Sequence, residues 1–195
     1  MAKYFLQSNL RTVLVALLVS AAATTAAHAA PALPQGQKTI ALISAAGERQ
    51  VIGHVNFVAR ADIATFELKL DAKEFQDEFL SMRPFSCLAG EKEMWCHLAY
   101  PYDLKKQISG GDLTNLEYAL LFLHKPQTGY GIDPWNGLYF KMALGDDGAI
   151  TGTLHDVNLD PLGVPPADKS ARLIGPENLT VSDPATHRFA KIEIK

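Results

Sequence analysis

The sequence is poor in cysteine, has no cluster of basic residues and lacks the common catalytic motifs. It contains only two cysteines among 195 residues. A G-x-S-x-G elbow, an H-E-x-x-H pair, a phosphate-cradling glycine loop and an EF-hand ligand ladder are all missing. These absences lower the expectation of an enzyme, although catalytic groups can also come together from distant positions. The lack of basic clusters argues against a nucleic-acid partner, because such binding depends on neutralising many phosphates.

The first thirty residues have the pattern of a cleavable secretory signal peptide. Lys3 and Arg11 precede an apolar run at 13–19 and an alanine-rich stretch that ends at Ala29 and Ala30. This is the order of the n-region, the h-region and the A-x-A cleavage site. The run is far shorter than the roughly 20 residues that a membrane-spanning helix needs. No cysteine that could carry a lipid anchor follows it. We therefore predict that the protein is periplasmic or secreted.

Cleavage at this site leaves a moderately acidic chain. The loss of Lys3 and Arg11 leaves 16 basic residues against 21 acidic ones, a net charge of about −5. About 165 residues remain, which suits one domain with a sizeable core. We predict a flexible leader at 31–37 and a single soluble domain at 38–195. We expect no cofactor and no metal site.

The two cysteines, Cys87 and Cys96, are predicted to form a disulfide. Export places their thiols where they are oxidised. The eight residues between them include Gly90 in a polar stretch, where the chain can turn back. A thioredoxin-like motif has two residues between its cysteines rather than eight. The pair is therefore interpreted as a structural cross-link rather than as a redox or zinc site.

Much of the chain alternates apolar and polar residues with the period of half-buried antiparallel strands. This pattern predicts strands at 39–45, 50–59, 63–70, 94–100 and 189–194. Eight or so strands in mainly local order, with one short inserted helix, predict a mainly β fold. We expect an antiparallel barrel or a curved sandwich, and a lipocalin-like cup is the specific shape that the pattern resembles.

A β-hairpin is predicted across 138–155. A three-residue loop with Gly148 in the left-handed conformation pairs Leu144 with Ile150 and keeps the apolar side chains on one face. A two-residue turn would mix apolar and polar side chains instead. The favoured register leaves five residues on an opposite, polar face: Tyr139, Lys141, Thr151, Thr153 and His155.

The inserted helix is predicted at the segment that begins with Asp71. Asp71 and Glu74 form a capping box, and apolar residues follow at helical spacing. These apolar residues are Phe75, Phe79 and Met82, and the pattern ends at Pro84. The segment thus has the signature of a short amphipathic helix packed on the sheet.

The segment 115–125 is ambiguous. Its apolar residues alternate as in a strand, yet Thr114 and Glu117 form a second capping box. We favour a strand because of its aromatic content.

The later segment 157–187 holds five prolines and one short regular candidate at Leu179–Ser182. A connection of this length is usually functional or disordered.

The densest candidate ligand site lies beside the predicted disulfide. It contains Trp95, His97, Tyr100, Tyr102 and Asp103. These side chains could line a ligand pocket that the disulfide holds rigid. Alternatively, the tryptophan packs in the core and the tyrosines bury their rings with their hydroxyl groups in water. We favour the structural interpretation.

A second cluster follows the hairpin and contains His155, Asp156, Asn158 and Asp160. Oxygen ligands of this kind could hold calcium, or an aspartate could orient His155 as a base. However, the hairpin register predicts a solvated His155. Asn158 and Asp160 are also common turn residues. We therefore favour an ordinary exposed turn.

A third cluster precedes the hairpin and contains Tyr130, Asp133 and Trp135. If the two rings are exposed, they suit stacking on a sugar ring or a lipid. Alternatively, Trp135 plugs one end of the barrel. The sequence does not decide between these two interpretations.

These features favour a small ligand-binding or accessory protein of the cell envelope. Its partner would be a small apolar ligand or an envelope protein. One alternative is an envelope-directed hydrolase with His97 or His155 as the base, which requires a histidine bonded to a carboxylate inside a cleft. Another is a structural or inhibitory protein that acts through the 157–187 segment.

Overall fold

A computed structural model describes residues 32–80, 84–129, 131–168 and 171–195. Within these ranges the fold is mainly antiparallel β, with one twelve-stranded sheet and one α-helix. The predicted signal peptide, Met82 and Tyr130 lie outside the described residues. Among the residues described, no helix combines the length and the hydrophobicity that crossing a membrane requires.

The strands and the helix have the following bounds. They are β1 (Gly36–Ile43), β2 (Arg49–Arg60), β3 (Ile63–Leu70), β4 (Gln76–Phe79), β5 (Pro84–Leu88), β6 (Glu93–Leu98), β7 (Gln107–Ser109), α1 (Thr114–Ala119), β8 (Leu121–Pro126), β9 (Gly137–Leu144), β10 (Ile150–Val157), β11 (Leu179–Val181) and β12 (Lys191–Ile194). Three short 3-10 helices lie at Pro134–Asn136, Asp160–Gly163 and Pro176–Asn178.

The sheet is open rather than closed into a barrel. Its strand order is β4-β5-β6-β8-β9-β10-β12-β1-β2-β3-β7, and β11 pairs with β10. In the described part of the chain, the short strands β4 and β7 end this order and each pairs with one neighbour. The mainly β class is confirmed. Of the two predicted shapes, the barrel, and with it the lipocalin-like cup, is wrong because β4 and β7 do not pair within the described residues. The other predicted shape, a curved sandwich, is compatible with the open sheet.

The main core draws side chains from both halves of the sheet. Phe57 and Phe66 come from β2 and β3, and Trp95, Phe122 and Phe140 come from β6, β8 and β9. The ring of Trp95 lies 5.9 Å from that of Phe122 and 6.2 Å from that of Phe140. Because strands from distant places in the order share one cluster, the sheet curves around it.

The hairpin of β9 and β10 has the predicted register. Leu144 pairs with Ile150, and Phe140 pairs with Leu154. Gly148 has a φ of 76°, the left-handed conformation that favours glycine. The apolar side chains of this hairpin therefore face the main core, as the alternation predicted.

The opposite face of the hairpin is partly buried, which corrects the prediction of a polar face. Tyr139 is only 2% exposed and belongs to a second core that also contains Leu159, Leu162 and Ile174. These three side chains come from the proline-rich segment 157–187. The hydroxyl group of Tyr118 donates to the carbonyl oxygen of Ile174 at 3.0 Å and fastens the segment there. This long connection therefore covers one half of the sheet.

The helix predicted after Asp71 is replaced by a turn and a strand. The backbone N–H of Glu74 donates to the carbonyl oxygen of Asp71 at 3.0 Å, and the Asp71 carboxylate accepts the N–H of Lys73 at 3.0 Å. The chain then pairs as β4 with β5. Phe75 is buried but Phe79 is 78% exposed, so no helical apolar face forms. The helix prediction is wrong because the local bonds close one turn and strand pairing follows.

The ambiguous segment 115–125 contains both structures. It begins within α1 and continues as β8 from Leu121. The strand prediction is correct for the second half and wrong for the first.

At the start of the described chain, Leu33 packs against the main core and Gln35 accepts the N–H of Ala59 at 2.6 Å. The described part of the predicted leader thus lies against the sheet.

Candidate functional site

The disulfide between Cys87 and Cys96 is confirmed. The two residues are directly paired between β5 and β6, and both are fully buried. The cross-link therefore ties β5 to β6, its neighbour in the sheet.

Trp95, a predicted ligand contact, lies in the main core. It is 1% exposed, and its indole N–H donates to Glu93 Oε1 at 2.7 Å. Its ring also lies 5.2 Å from that of Phe189. Trp95 thus packs as the structural interpretation predicted, and its N–H helps to orient the neighbouring glutamate.

The other candidate ligand residues lie in separate places. Tyr100 and Tyr102 pack against the second core, where the hydroxyl group of Tyr102 donates to the Leu162 carbonyl oxygen at 2.6 Å. Trp135 is 68% exposed, and its indole N–H donates to Asp160 at 2.6 Å. The structure does not bring these tyrosines and Trp135 together with Trp95 into one pocket.

His97 and His155 contact backbone carbonyl groups. His97 Nε2 lies 3.0 Å from the carbonyl oxygen of Ala119, and His155 Nδ1 lies 3.0 Å from that of Thr153. Burial lowers the pKa of His97, and the hydrogen bond with Ala119 offsets this only in part. The hydrolase hypothesis requires a histidine that contacts a carboxylate. These two imidazoles contact backbone carbonyl groups instead.

We expect the low pKa of His97 to make the free energy of unfolding decrease as the pH falls. Because the pKa of His97 is lower in the folded chain, the unfolded chain takes up the proton more readily. The free energy of unfolding should therefore decrease as the pH falls below the ordinary histidine pKa of about 6.5. Urea unfolding at neutral and mildly acidic pH should show a smaller decrease in His97→Gln than in the wild type. Equal decreases would contradict this assignment.

Four ionisable side chains that the sequence analysis did not bring together meet beside an open cleft of about 1280 Å³. They are Glu93 at the start of β6, His124 in β8, Asp156 in β10 and His187 before β12. We call them the His187 cluster. Glu93 shares a strand face with Trp95, and Trp95 pairs directly with His124. The cluster therefore lies at one end of the main core.

His187 bridges two carboxylates. Its Nδ1 lies 3.1 Å from Glu93 Oε2, and its Nε2 lies 2.9 Å from Asp156 Oδ1. Its side chain is 6% exposed, whereas that of Asp156 is 44% exposed. The other oxygen of Glu93 accepts the Arg188 backbone N–H at 2.5 Å as well as the indole N–H of Trp95. Glu93 and His187 are thus fixed by partners on both sides.

His124 completes the cluster. Its ring lies 4.6 Å from that of His187 at an angle of 77°. Its Nδ1 lies 3.6 Å from Glu93 Oε2, the same oxygen that His187 approaches. Two imidazole nitrogens therefore converge on one carboxylate oxygen at the edge of the cleft.

The environment shifts the pKa of the two imidazoles in opposite directions. Burial alone would lower the pKa of His187, but its hydrogen bonds with Glu93 and Asp156 outweigh burial and raise it. Burial and the neighbouring His187 lower the pKa of His124. Burial opposes ionisation of Glu93, but hydrogen bonds from His187, Arg188 and Trp95 outweigh it and lower the pKa of that carboxyl.

Most of the residues that line the cleft beside the cluster are polar or charged. Its lining includes Glu91, Lys92, Asn136 and Arg188 in addition to Glu93, His124 and His187. The Arg188 guanidinium donates to the Ala89 carbonyl oxygen at 2.6 Å, which fixes it at the rim. A polar or charged ligand suits this lining better than an apolar one.

Sequence reasoning missed this cluster because its members belong to segments with other interpretations. His187 lies at the end of the proline-rich connection, 94 positions from Glu93. His124 lies in the ambiguous segment 115–125, and Asp156 was grouped with turn residues. The only available signal was His124, a histidine that directly follows the apolar run 121–123, and that signal names no partner.

The cluster has two chemical capabilities. Imidazole nitrogens and a carboxylate oxygen are ligands of transition metals, and an imidazole oriented by a carboxylate can transfer protons. Both need access from solvent, which the cleft gives.

The chain matches no protein-family model, and neither a curated protein nor a solved structure is significantly similar to it.

Proposed function

We propose that this is an exported binding protein of the cell envelope whose ligand site is the cleft at the His187 cluster. The observation that supports the proposal is the placement of His187, a nearly buried imidazole held between two carboxylates at the wall of an open cleft. Burying ionisable groups carries a desolvation penalty, which His187 offsets through its bonds with two carboxylates. Ionisable groups that converge in a cleft are therefore candidates for a functional site.

The polar lining changes the expected class of ligand. Sequence analysis favoured a small apolar ligand inside a barrel, whereas the cleft presents imidazole, carboxylate, ammonium and guanidinium groups. A small polar or charged ligand is therefore proposed in its place. The buried disulfide is compatible with the oxidising compartment to which the predicted signal peptide would direct the chain.

Native mass spectrometry of the full chain recovered from an exporting cell tests this proposal. The wild type should carry an additional non-protein mass, and His187→Gln should lose it. His54→Gln is the matched control, because His54 is exposed on β2 and lies outside the cleft lining. Circular dichroism confirms that each variant is folded. A wild type without additional mass, or a folded His187→Gln variant that keeps it, would contradict the proposal.

An envelope-directed hydrolase is the second candidate function. The histidine–carboxylate pair that this hypothesis requires would be His187 with Glu93, both of which line the cleft, rather than a pair that contains His97 or His155. Asp156 would orient the opposite ring nitrogen of His187. A panel of chromogenic esters, amides and glycosides tests it. If the protein is a hydrolase, turnover of at least one substrate should be lost in His187→Gln and kept in His54→Gln. Turnover that survives in His187→Gln would exclude this cluster as the catalytic site.

A further inference from the structure

We propose that Glu93, His124 and His187 form a binding site for one divalent transition-metal ion of the zinc type. The inference rests on the proposed function and names the ligand of the same cleft. It follows from the spacing of three ligand atoms, from the partners that orient them and from the side of the site that faces the cleft.

The spacing of the donor atoms fits a small metal ion. One ligand atom from each of the three residues lies within 4.8 Å of the other two. Glu93 Oε2 lies 3.1 Å from His187 Nδ1 and 3.6 Å from His124 Nδ1. Tetrahedral zinc, with bonds to nitrogen and oxygen of about 2.1 Å, holds its ligand atoms roughly 3.4 Å apart. The two distances lie on either side of that value, so the Glu93 oxygen is spaced from each imidazole about as a tetrahedral ion requires.

The ligands are already oriented by other groups. Asp156 Oδ1 lies 2.9 Å from Nε2 of His187, the ring nitrogen opposite the one that would bind the ion. A histidine ligand whose second nitrogen donates to a carboxylate is a recurring feature of metal sites. The backbone N–H of Arg188 and the indole N–H of Trp95 hold Oε1 of Glu93, which directs Oε2 towards the imidazoles. Such outer partners fix the ligand geometry in advance.

The ligand types select the class of metal. Two imidazole nitrogens with one carboxylate oxygen suit zinc and related transition metals, whereas magnesium and calcium prefer oxygen ligands alone. Thiolate ligands are excluded because both cysteines of the sequence are joined in the disulfide. Three protein ligands leave a further coordination position for water or a ligand atom. Glu93, His124 and His187 all line the cleft, so a ligand in the cleft would lie beside that position.

Titration of the purified, metal-free full chain with Zn²⁺ tests the inference. Isothermal calorimetry of the wild type should show one ion per chain, and Co²⁺ should give the visible absorption of a nitrogen- and oxygen-ligated ion. The affinity should fall at least about 100-fold in His124→Gln or His187→Gln. It should fall about 10–100-fold in Asp156→Asn, which removes an outer partner only. His54→Gln should bind as the wild type does.

His124→Gln keeps the test decisive if His187→Gln fails to fold, because His124 is more exposed and approaches Glu93 only at 3.6 Å. An unchanged affinity in folded His124→Gln would overturn the inference, as would wild type that binds no Zn²⁺ or that prefers Mg²⁺. If the wild type binds no Zn²⁺ but carries an organic mass that His187→Gln loses, the metal inference fails and the proposed function stands. If the wild type binds no Zn²⁺ and carries no organic mass, the metal inference and the proposed function both fail.

Discussion

Replacing Glu117 with alanine is expected to lower the free energy of unfolding by about 3–5 kcal/mol. The Glu117 side chain is fully buried in α1, and its carboxylate accepts the hydroxyl group of Tyr139 and the backbone N–H of Met142 at 2.7 Å. Without the carboxylate these two donors stay buried and lack their partner, which costs about 1–3 kcal/mol for each group. Lys141 also lies 3.1 Å from Glu117, but its half-exposed side chain can turn to water.

Urea unfolding followed by circular dichroism measures this loss. Glu117→Gln keeps the volume of the side chain, yet its free energy of unfolding should still fall by about 2–3 kcal/mol. The glutamine amide places an N–H donor where the groups that face it, in Tyr139 and Met142, are also donors. Glu67→Ala is the matched control. Glu67 is exposed on β3, so its replacement should change stability by at most about 0.5 kcal/mol. A loss below about 1 kcal/mol in Glu117→Ala would show that the helix is held to β9 by something other than this carboxylate.

Removal of the disulfide is expected to have the next largest effect. The bond joins residues nine positions apart, and closing a loop of this size stabilises the folded chain by about 2.7 kcal/mol in the chain-entropy model. The double variant Cys87→Ala and Cys96→Ala should therefore unfold at a lower urea concentration than the oxidised wild type. Because both sulfur atoms are buried, the alanines also remove packed volume, which adds to the loss.

The reduced wild type is the natural control for this experiment. Adding dithiothreitol to the unfolding buffer should bring the wild type close to the double variant, since reduction removes the same cross-link. The double variant itself should not respond to dithiothreitol. If oxidised wild type and double variant unfold at the same urea concentration, the bond contributes nothing to stability and the cross-link interpretation is wrong.

Strands and hairpin register were predictable from the sequence because both depend on local alternation. A strand buried on one face repeats every two residues, so a one-residue slip would expose its apolar set. In the β9–β10 hairpin, only one register keeps Leu144 opposite Ile150, and Gly148 supplies the turn that this register needs. Pattern and turn chemistry therefore pointed to the same structure.

The helix at Asp71 was predicted from a local signal that the fold overrides. The backbone N–H groups of Lys73 and Glu74 bond to Asp71 and close a turn, but a helix of this length is marginal without packing of its apolar face. Pairing of β4 with β5, a strand that the disulfide joins to β6, competes with that packing. Phe79 is left exposed as a result. Pairing with a neighbouring strand leaves no trace in the spacing of apolar residues within the segment itself.

The second core escaped the sequence analysis for a different reason. The Tyr139 side chain is amphipathic, so its alternation with Lys141 suggested a polar face. Its ring is nevertheless buried, because a distant residue, Glu117, accepts its hydroxyl hydrogen. The cover comes from the segment 157–187, whose prolines remove the periodicity on which strand and helix prediction relies.

The His187 cluster could not be assembled from the sequence at all. Glu93 and His124 meet because β6 pairs directly with β8, although β7 and α1 lie between these two strands in the sequence. His187 reaches them because β12 inserts between β10 and β1 at the far end of the chain. A four-residue constellation drawn from four separate segments has no motif spacing, so only the fold reveals it.

Anomalous X-ray diffraction from crystals grown with Zn²⁺ locates any ion that binds at the His187 cluster. One dominant peak is expected in difference density measured above the zinc absorption edge. That peak should lie about 2.1 Å from Glu93 Oε2 and from an imidazole nitrogen of each of His124 and His187, with an open side towards the cleft. Density that contains no peak at this cluster, or peaks only elsewhere on the chain, would contradict the metal inference.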